Sequence, residues 1–255
     1  MHVHLGPRLE RGLTMLRGSQ TVADIGSDHG RLAAALLQQG AARRVIACDI
    51  SAPSLEKAKA LAGRCGLTGR MDFRVADGLG ALAPGEADAI VIAGMGGLVM
   101  GRILREGEAV ARAARRIVLQ PQGNAAELRA YLYGNGYAVE AEAIALEAGR
   151  YYQLIQAHSG PPRPLPPGWP PGYWELGPAA FAGRDPLFAP LAQKIRAGHQ
   201  KRLDRARRDG MEPPLLTEAI QALDRILDLL EGNDEACGFS KPNGGPGAPG
   251  PGDGF

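Results

Sequence analysis

The sequence predicts an α/β fold: a doubly wound, largely parallel sheet of seven strands with an antiparallel strand at one edge, followed by a two-helix coiled-coil domain. Three observations carry that prediction. Strand-like and helix-like stretches alternate over residues 1–158, a pattern that requires crossover connections and hence parallel pairing. The last two strand-like stretches, Tyr137–Ile144 and Tyr151–Gln156, are joined by a turn at Glu147–Gly149 with no helix between them, so they form a hairpin. Beyond a proline-rich break, apolar residues recur at alternating spacings of four and three.

The first unit is Thr21-Val-Ala-Asp-Ile-Gly-Ser-Asp-His-Gly-Arg31. Val22, Ala23 and Ile25 read as a buried strand, Gly26 and Gly30 stand at a sharp turn, and Arg31–Gln39 is a strong helix former. Such a unit aims backbone N–H groups and a helix N-terminus at a nucleotide-like ligand. The dinucleotide fingerprint G-x-G-x-x-G is not satisfied, because its second and third glycine positions fall on Asp28 and Arg31. Arg44–Asp49 is a second strand, ending in a carboxylate 23 residues after Gly26, near the offset of roughly 20 residues at which an acid meets a ribose diol. Met71–Val75 leads to a third acid and glycine, Asp77-Gly78. Both acids would also serve as caps of whatever helix follows. Asp88–Gly97 and Arg116–Gln120 are the fourth and fifth strands, and helices occupy Pro53–Cys65, Leu98–Glu106 and Ala125–Tyr133. Gln120 and Asn124 fall at the sheet edge where ligands gather, as base or phosphate contacts or as helix caps.

Residues 159–174 form a linker in which Gly160–Pro171 carries seven prolines, a stiff and extended boundary. A helical hairpin follows over 175–236, with helices at about Pro186–Arg208 and Leu215–Glu231. Leu216, Ile220, Leu223, Leu227 and Leu230 make one seam; Phe188, Leu191 and Ile195 make the other, which degenerates at Gly198 and Arg202 and predicts a hairpin loose at that end. Residues 185–209 hold seven Lys/Arg against three Asp, and residues 210–235 one Arg against seven acids. Lys194, Lys201, Arg205 and Arg208 share one helical face. That face fits a polyanion, and equally a salt-bridged pairing with the acidic helix. Residues 237–255 are Gly/Pro-rich with too few apolar groups to fold.

Length and composition set limits. The chain has 255 residues, 45% of them hydrophobic, and a net charge of +2, so any nucleic-acid surface must be local. No apolar run is long enough to span a bilayer, and the first residues lack the order of a signal peptide. Three cysteines without a C-x-x-C argue against a disulfide framework or a metal site and for the cytoplasm. His2 and His4 alternate like ligands but have no partner cluster in sequence, and read as a frayed terminus.

The motif Asp24-x-Gly26-x-Asp28-x-Gly30 resembles a variant of the first motif of class I methyltransferases, which have a Rossmann-like sheet. A carboxylate at Asp28 would repel a pyrophosphate and tolerate the cationic methionine end of S-adenosylmethionine. Asp24–Gly30, Ala76-Asp-Gly-Leu79, Ala93-Gly-Met-Gly-Gly97, Leu119-Gln-Pro121, Gly149-Arg-Tyr-Tyr152, Glu175-Leu-Gly-Pro178 and Asp185-Pro-Leu-Phe188 occur in order. Together they resemble the bacterial tRNA adenine-22-N1 methyltransferase family, from about Arg8 to Glu231. Gly30 stands where an alanine is common there, and Gln122 where an asparagine is common. The resemblance implies S-adenosylmethionine held by Asp24, Gly26, Ser27, Asp28, Gly30, Asp49, Ile50, Asp77, Gly78, Gly94, Met95 and Gly96. It implies methylation of adenine N1 in the D-arm of tRNA.

Adenine N1 carries its lone pair in the ring plane and needs no prior deprotonation, so positioning supplies much of the rate. The fourth strand ends in Gly94-Met-Gly-Gly97 with none of the Asn/Asp-Pro-Pro-aromatic groups that engage an exocyclic amine, in keeping with a ring nitrogen. Because the product is cationic, Asp28 is the candidate for stabilising developing charge, with His29 as hydrogen-bond partner of base or cofactor. The alternative is that Asp28 touches only the methionine part. Candidate tRNA contacts are Lys194, Lys201, Arg205 and Arg208, and a second patch of Arg8 and Arg11 on a short N-terminal helix. No metal or membrane is expected, and the oligomeric state is left open. Competing readings are an NAD-dependent dehydrogenase, a non-catalytic methyl-donor-binding RNA partner, and a methyltransferase acting on another RNA or a small molecule.

Overall fold

The computed structural model describes residues 1–236, so the Gly/Pro tail, expected to be disordered, lies outside the described residues. The chain runs α1 (Pro7–Met15), β1 (Ser19–Ile25), α2 (Arg31–Gln38), β2 (Ala42–Asp49), α3 (Ala52–Cys65), a 3-10 turn at Thr68–Arg70, β3 (Met71–Val75) and β4 (Ala89–Met95). It continues through α4 (Gly97–Glu106), α5 (Glu108–Ala113), β5 (Arg116–Pro121), α6 (Ala125–Gly134), β6 (Tyr137–Glu147) and β7 (Arg150–Ser159). Three further helices follow: α7 (Pro178–Ala182), α8 (Phe188–Arg208) and α9 (Pro214–Ala236). The short α5 and α7 are additions to what the sequence pattern predicts.

All seven strands join one sheet in the order β3-β2-β1-β4-β5-β7-β6. The first five strands pair in parallel, and the β6–β7 hairpin forms the edge, with β7 running antiparallel between β5 and β6. Helices cover both faces, so the central strands are apolar on both sides. Ala23, Ile25, Ile46, Ile90, Ile92, Ile117 and Leu119 fill one core layer, and Val22, Val45, Ala47, Val91 and Val118 the other. The order reverses between β1 and β4, where chain connections leave the sheet to opposite sides and open a crevice at the strand ends.

The C-terminal part is seated on the β6–β7 edge. Ile144 and Tyr151 from that hairpin pack with Trp169, Tyr173, Leu176, Phe181, Phe188, Leu223 and Ile226. The proline-rich segment is therefore more than an extended spacer: Trp169 and Tyr173 are buried, and Trp169 Nε1 donates to the Tyr173 carbonyl at 3.1 Å. A buried Arg129–Glu142 ion pair lies beneath, Arg129 also donating to the Trp174 carbonyl at 2.9 Å and to Gln153 Oε1 at 2.7 Å. Gly177 is required there, since a Cβ would sit 2.3 Å from Glu142 Oε2. Asp185 accepts from the Ile144 N–H at 2.9 Å and locks the next turn through the Leu187 N–H. These contacts give the Glu-Leu-Gly-Pro and Asp-Pro-Leu-Phe segments a structural task.

The seam of α8 does not end at Gly198. It shifts by one residue, and His199 and Leu203 are buried where Gly198 and Arg202 are exposed. On α9 the innermost residues are Ile220, Leu223 and Ile226, with Leu227 only half-buried.

Candidate cofactor cleft and nucleic-acid surface

The strand-end crevice is a cleft of about 810 Å³. Asp24, Gly26, Ser27, Asp28, Asp49, Ile50, Asp77, Gly78, Gly94 and Met95 line it, together with His29. Gly30 and Gly96 do not. Gly30 caps α2 from a left-handed backbone (φ 70°), and a Cβ there would lie 2.8 Å from the Ala58 Cβ, so this packing itself excludes alanine. Gly96 precedes α4 as its N-cap.

Backbone contacts hold the turn after β1. The N–H groups of Gly26 and Ser27 both donate to the Cys48 carbonyl, at 2.8 and 3.0 Å. Gly26 has φ 72°, and a Cβ there would meet Met95 Cε at 2.1 Å, so the first motif and the fourth strand need each other's shape. Asp28 adopts φ 50° and donates its N–H to Asp49 Oδ2 at 2.9 Å, while Asp49 Oδ1 accepts from the Ser51 N–H at 2.8 Å. Ser51, not Asp49, caps α3, accepting from the Ser54 N–H at 3.2 Å. Asp77 precedes no helix; its carboxylate faces Arg102 at 3.5 Å. The helix-cap alternative thus falls away for both acids.

Beneath the turn, Asp24 is only 3% exposed, and burial pushes its carboxyl up to about 6. Asp24 Oδ2 and Ser27 Oγ are buried without a hydrogen-bond partner. Unpaired buried polar atoms are costly, so this floor is suited to a ligand that brings a donor. Ile50 is 72% exposed at the other end of the cleft, where Val99 and Ile103 of α4 also line the wall. An amino-acid end can meet the polar floor, a ribose the Asp49 carboxylate, and a flat base the apolar wall. The residues present fit S-adenosylmethionine.

At the mouth, the Asp28 and His29 side chains are largely exposed, with Asp28 Oδ1 3.5 Å from His29 Nε2 and Lys57 Nζ 3.3 Å from the same nitrogen. Sequence reasoning missed Arg102 and Glu147, which line the cleft because α4 and the end of β6 fold over it. No spacing rule links them to the glycine turn.

The cations expected to meet tRNA divide into two groups. Arg8 turns inward: it lines the cleft, donates to Gln120 Oε1, stacks 5.4 Å from the Tyr152 ring centre, and its N–H donates to Glu147 Oε2 at 3.0 Å. Gln120 is itself buried and Asn124 donates to Glu127, so neither faces a ligand freely. Arg11 faces Asp185 at 3.9 Å. Lys194 folds back over the Tyr151 ring at 5.0 Å and donates to the Gly149 carbonyl. Lys201, Arg205 and Arg208 are exposed and have no partner among the described residues. Among the described residues, Arg196 pairs with Asp224 of the acidic helix and Arg207 with Glu212 just before it. Among the described residues no helix is long and apolar enough to cross a membrane, and no group of three or more metal-ligating side chains occurs.

Residues 5–155 match the family described as "Methyltransferase domain". The Bacillus subtilis protein named tRNA (adenine(22)-N(1))-methyltransferase is 35% identical over 156 residues, an alignment spanning 61% of this chain and 66%, just under two thirds, of that protein. A Streptococcus pneumoniae structure, described as "a putative tRNA (m1A22) methyltransferase, in complex with S-adenosyl-L-methionine", superposes with a TM-score of 0.76 at 28% identity, covering 88% of this chain and all of that one. The B. subtilis M1A22 tRNA methyltransferase gives a TM-score of 0.71 at 27% identity, over 91% and 99% of the two chains. The chain belongs to the methyltransferase-domain family, and it is similar in sequence and fold to bacterial tRNA adenine-22-N1 methyltransferases.

Proposed function

We propose that this protein transfers a methyl group from S-adenosylmethionine to N1 of an adenine in the D-arm of tRNA. The carrying observation is the cleft in which Asp24 Oδ2 and Ser27 Oγ are buried without a hydrogen-bond partner while Asp49 is fixed by two backbone N–H groups. When bound, S-adenosylmethionine supplies an electrophilic methyl group. Asp24 and Ser27 receive the methionine end, Asp49 the ribose hydroxyls, and Ile50, Asp77 and Gly78 the adenine. Gly94 and Met95 border the approach of the target base, where the absence of a side chain at Gly94 leaves room. N1 attacks without losing a proton, so the chain's task is to orient the base and to balance the charge that develops on it. Asp28, at the mouth with His29, is placed for that second task.

Lys201, Arg205 and Arg208 hold the tRNA backbone, and a groove lined by Gln122, Asn124, Tyr151, Gln153 and Ile195 runs from the cleft edge toward their helix. The separable units proposed are a methyltransferase domain at 1–158 and a helical hairpin at 175–236, working in the cytoplasm. Incubation with labelled S-adenosylmethionine and bulk tRNA, followed by nucleoside analysis, should yield 1-methyladenosine; label in another nucleoside, or none, rejects the proposal. Asp28→Asn should lower turnover more than cofactor affinity, the mark of an interaction made mainly in the transition state. Equal losses would make it a cofactor ligand only.

A further inference from the structure

Outside the cleft, one concavity gathers positive charge with no carboxylate in its walls. The N-terminal segment, expected to fray, is instead pinned along α2. The Val3 N–H donates to Gln38 Oε1 at 2.9 Å, Gln38 Nε2 donates to the Met1 carbonyl at 2.8 Å, and the Arg31 guanidinium donates to the His4 carbonyl at 2.7 Å. Val3 is buried as a result. Held there, the segment forms one side of a cavity of about 590 Å³ whose polar lining is His2, His4, His29, Arg31, Lys57 and Arg64. Lys57 touches only His29, and Arg64 has no partner among the described residues.

Three permanent cations around one hollow repel one another; among the described residues no carboxylate lines it, Asp28 reaching only His29 at its rim, so the hollow gains from an anion. Its position says which anion. His29 and Arg31 line both this cavity and the cofactor cleft, so the two share a wall. The cleft is lined by five carboxylates, Asp24, Asp28, Asp49, Asp77 and Glu147, against three guanidinium groups, Arg8, Arg31 and Arg102, a net acidic lining that disfavours a phosphate backbone. A nucleotide presented to the cleft must therefore keep its flanking phosphates outside, and this cavity is the cationic place beside the mouth. We infer that the His2–Arg31–Lys57–Arg64 pocket holds a backbone phosphate of the RNA substrate next to the nucleotide that enters the cleft. This rests on the reading of the protein as a tRNA methyltransferase.

The test compares the parent with Arg64→Glu and with Lys57→Glu/Arg64→Glu, titrating tRNA over a series of salt concentrations. The single variant should weaken tRNA binding about fivefold or more and the double variant further. The slope of log affinity against log salt should become shallower by about 0.7–0.9 per lost contact. Arg64→Glu should leave S-adenosylmethionine affinity unchanged by calorimetry. Folded variants with parental tRNA affinity and slope overturn the inference. So does stabilisation of the parent by inorganic phosphate that depends on Arg64 while tRNA binding does not, which marks a free-anion site. The two readings fail separately: if the parent makes no 1-methyladenosine the function is wrong, whereas an active parent with indifferent variants removes only this pocket.

Discussion

The cleft and the outer face of α8 are both rich in charge, and they hold it in opposite ways. In the cleft two carboxylates are held in place: Asp49 accepts from the N–H groups of Asp28 and Ser51, and Asp24 is sealed beneath the turn. On α8 the guanidinium and ammonium groups of Lys201, Arg205 and Arg208 are exposed, with no partner among the described residues. The first arrangement is preorganised for a small ligand of one shape, where losing a single group is costly. The second suits a long polyanion, where each contact is small, additive and weakened by salt.

The largest effect should come from the most tightly held group. On the proposed function, Asp49→Ala should remove charge-assisted bonds to the ribose hydroxyls, each worth about 1.5–3 kcal/mol. It also releases the Asp28 N–H that shapes the turn. Calorimetric titration should show S-adenosylmethionine affinity lowered by tenfold or more. Parental affinity in a folded variant would put Asp49 outside the site and erase the contrast.

Asp24 makes the same point through pH. Its folded-state carboxyl is raised from 3.8 to about 6 by burial. Between those values the folded protein binds more protons than the unfolded chain, so stability is highest below about pH 4 for this group and falls as pH rises through 6. The amount is roughly 3 kcal/mol, at about 1.4 kcal/mol per pKa unit. Asp24→Asn should therefore unfold at higher denaturant than the parent at pH 8 in the absence of cofactor, with the difference gone near pH 4. Equal pH dependence in the two proteins would mean that Asp24 is not sealed.

How legible these regions were in the sequence differs for a physical reason. Asp49 could be read because a strand end, a carboxylate and a chain offset are all local quantities. So could the parallel sheet and its closing hairpin, since β-periodicity and the missing crossover are written along the chain. The direction of a long side chain is not local. Arg8 turns into the cleft because α1 packs beside Gln120 and Tyr152, more than a hundred residues away. His2 and His4 are placed by Gln38, whose contact with Val3 no spacing announces. The prolines hid Trp169 and Tyr173, because a stiff segment looks like a spacer until its aromatic side chains find β6 and the hairpin. Gly26 is recognisable as a turn glycine, but the methionine that packs against it, and would have to move for a Cβ, lies on another strand.

On α8, Lys201→Glu/Arg205→Glu/Arg208→Glu should weaken tRNA binding without altering S-adenosylmethionine affinity. The salt slope should flatten by roughly 0.9 for each lost double-helical phosphate contact. A folded triple variant with the parental slope would mean that tRNA docks elsewhere and that these cations only balance the acidic helix.

The smallest effect distinguishes Lys194 from the three cations that share its helical face. By spacing alone all four are equivalent, and a purely sequence-based account expects the same salt slope change from each. The fold separates them. Lys194 already spends its charge on the Tyr151 ring, 5.0 Å away, and on the Gly149 carbonyl, which tie α8 to the β6–β7 turn. An exposed cation over an aromatic face contributes about 0.5–1 kcal/mol. Lys194→Ala should therefore lower the unfolding midpoint slightly and leave the salt slope of tRNA binding at its parental value, while Arg205→Ala should do the reverse. If Lys194→Ala flattens the slope as much as Arg205→Ala does, the lysine leaves Tyr151 when RNA arrives. The cationic surface would then extend along α8 to the edge of the sheet, toward the groove that leads to the cleft.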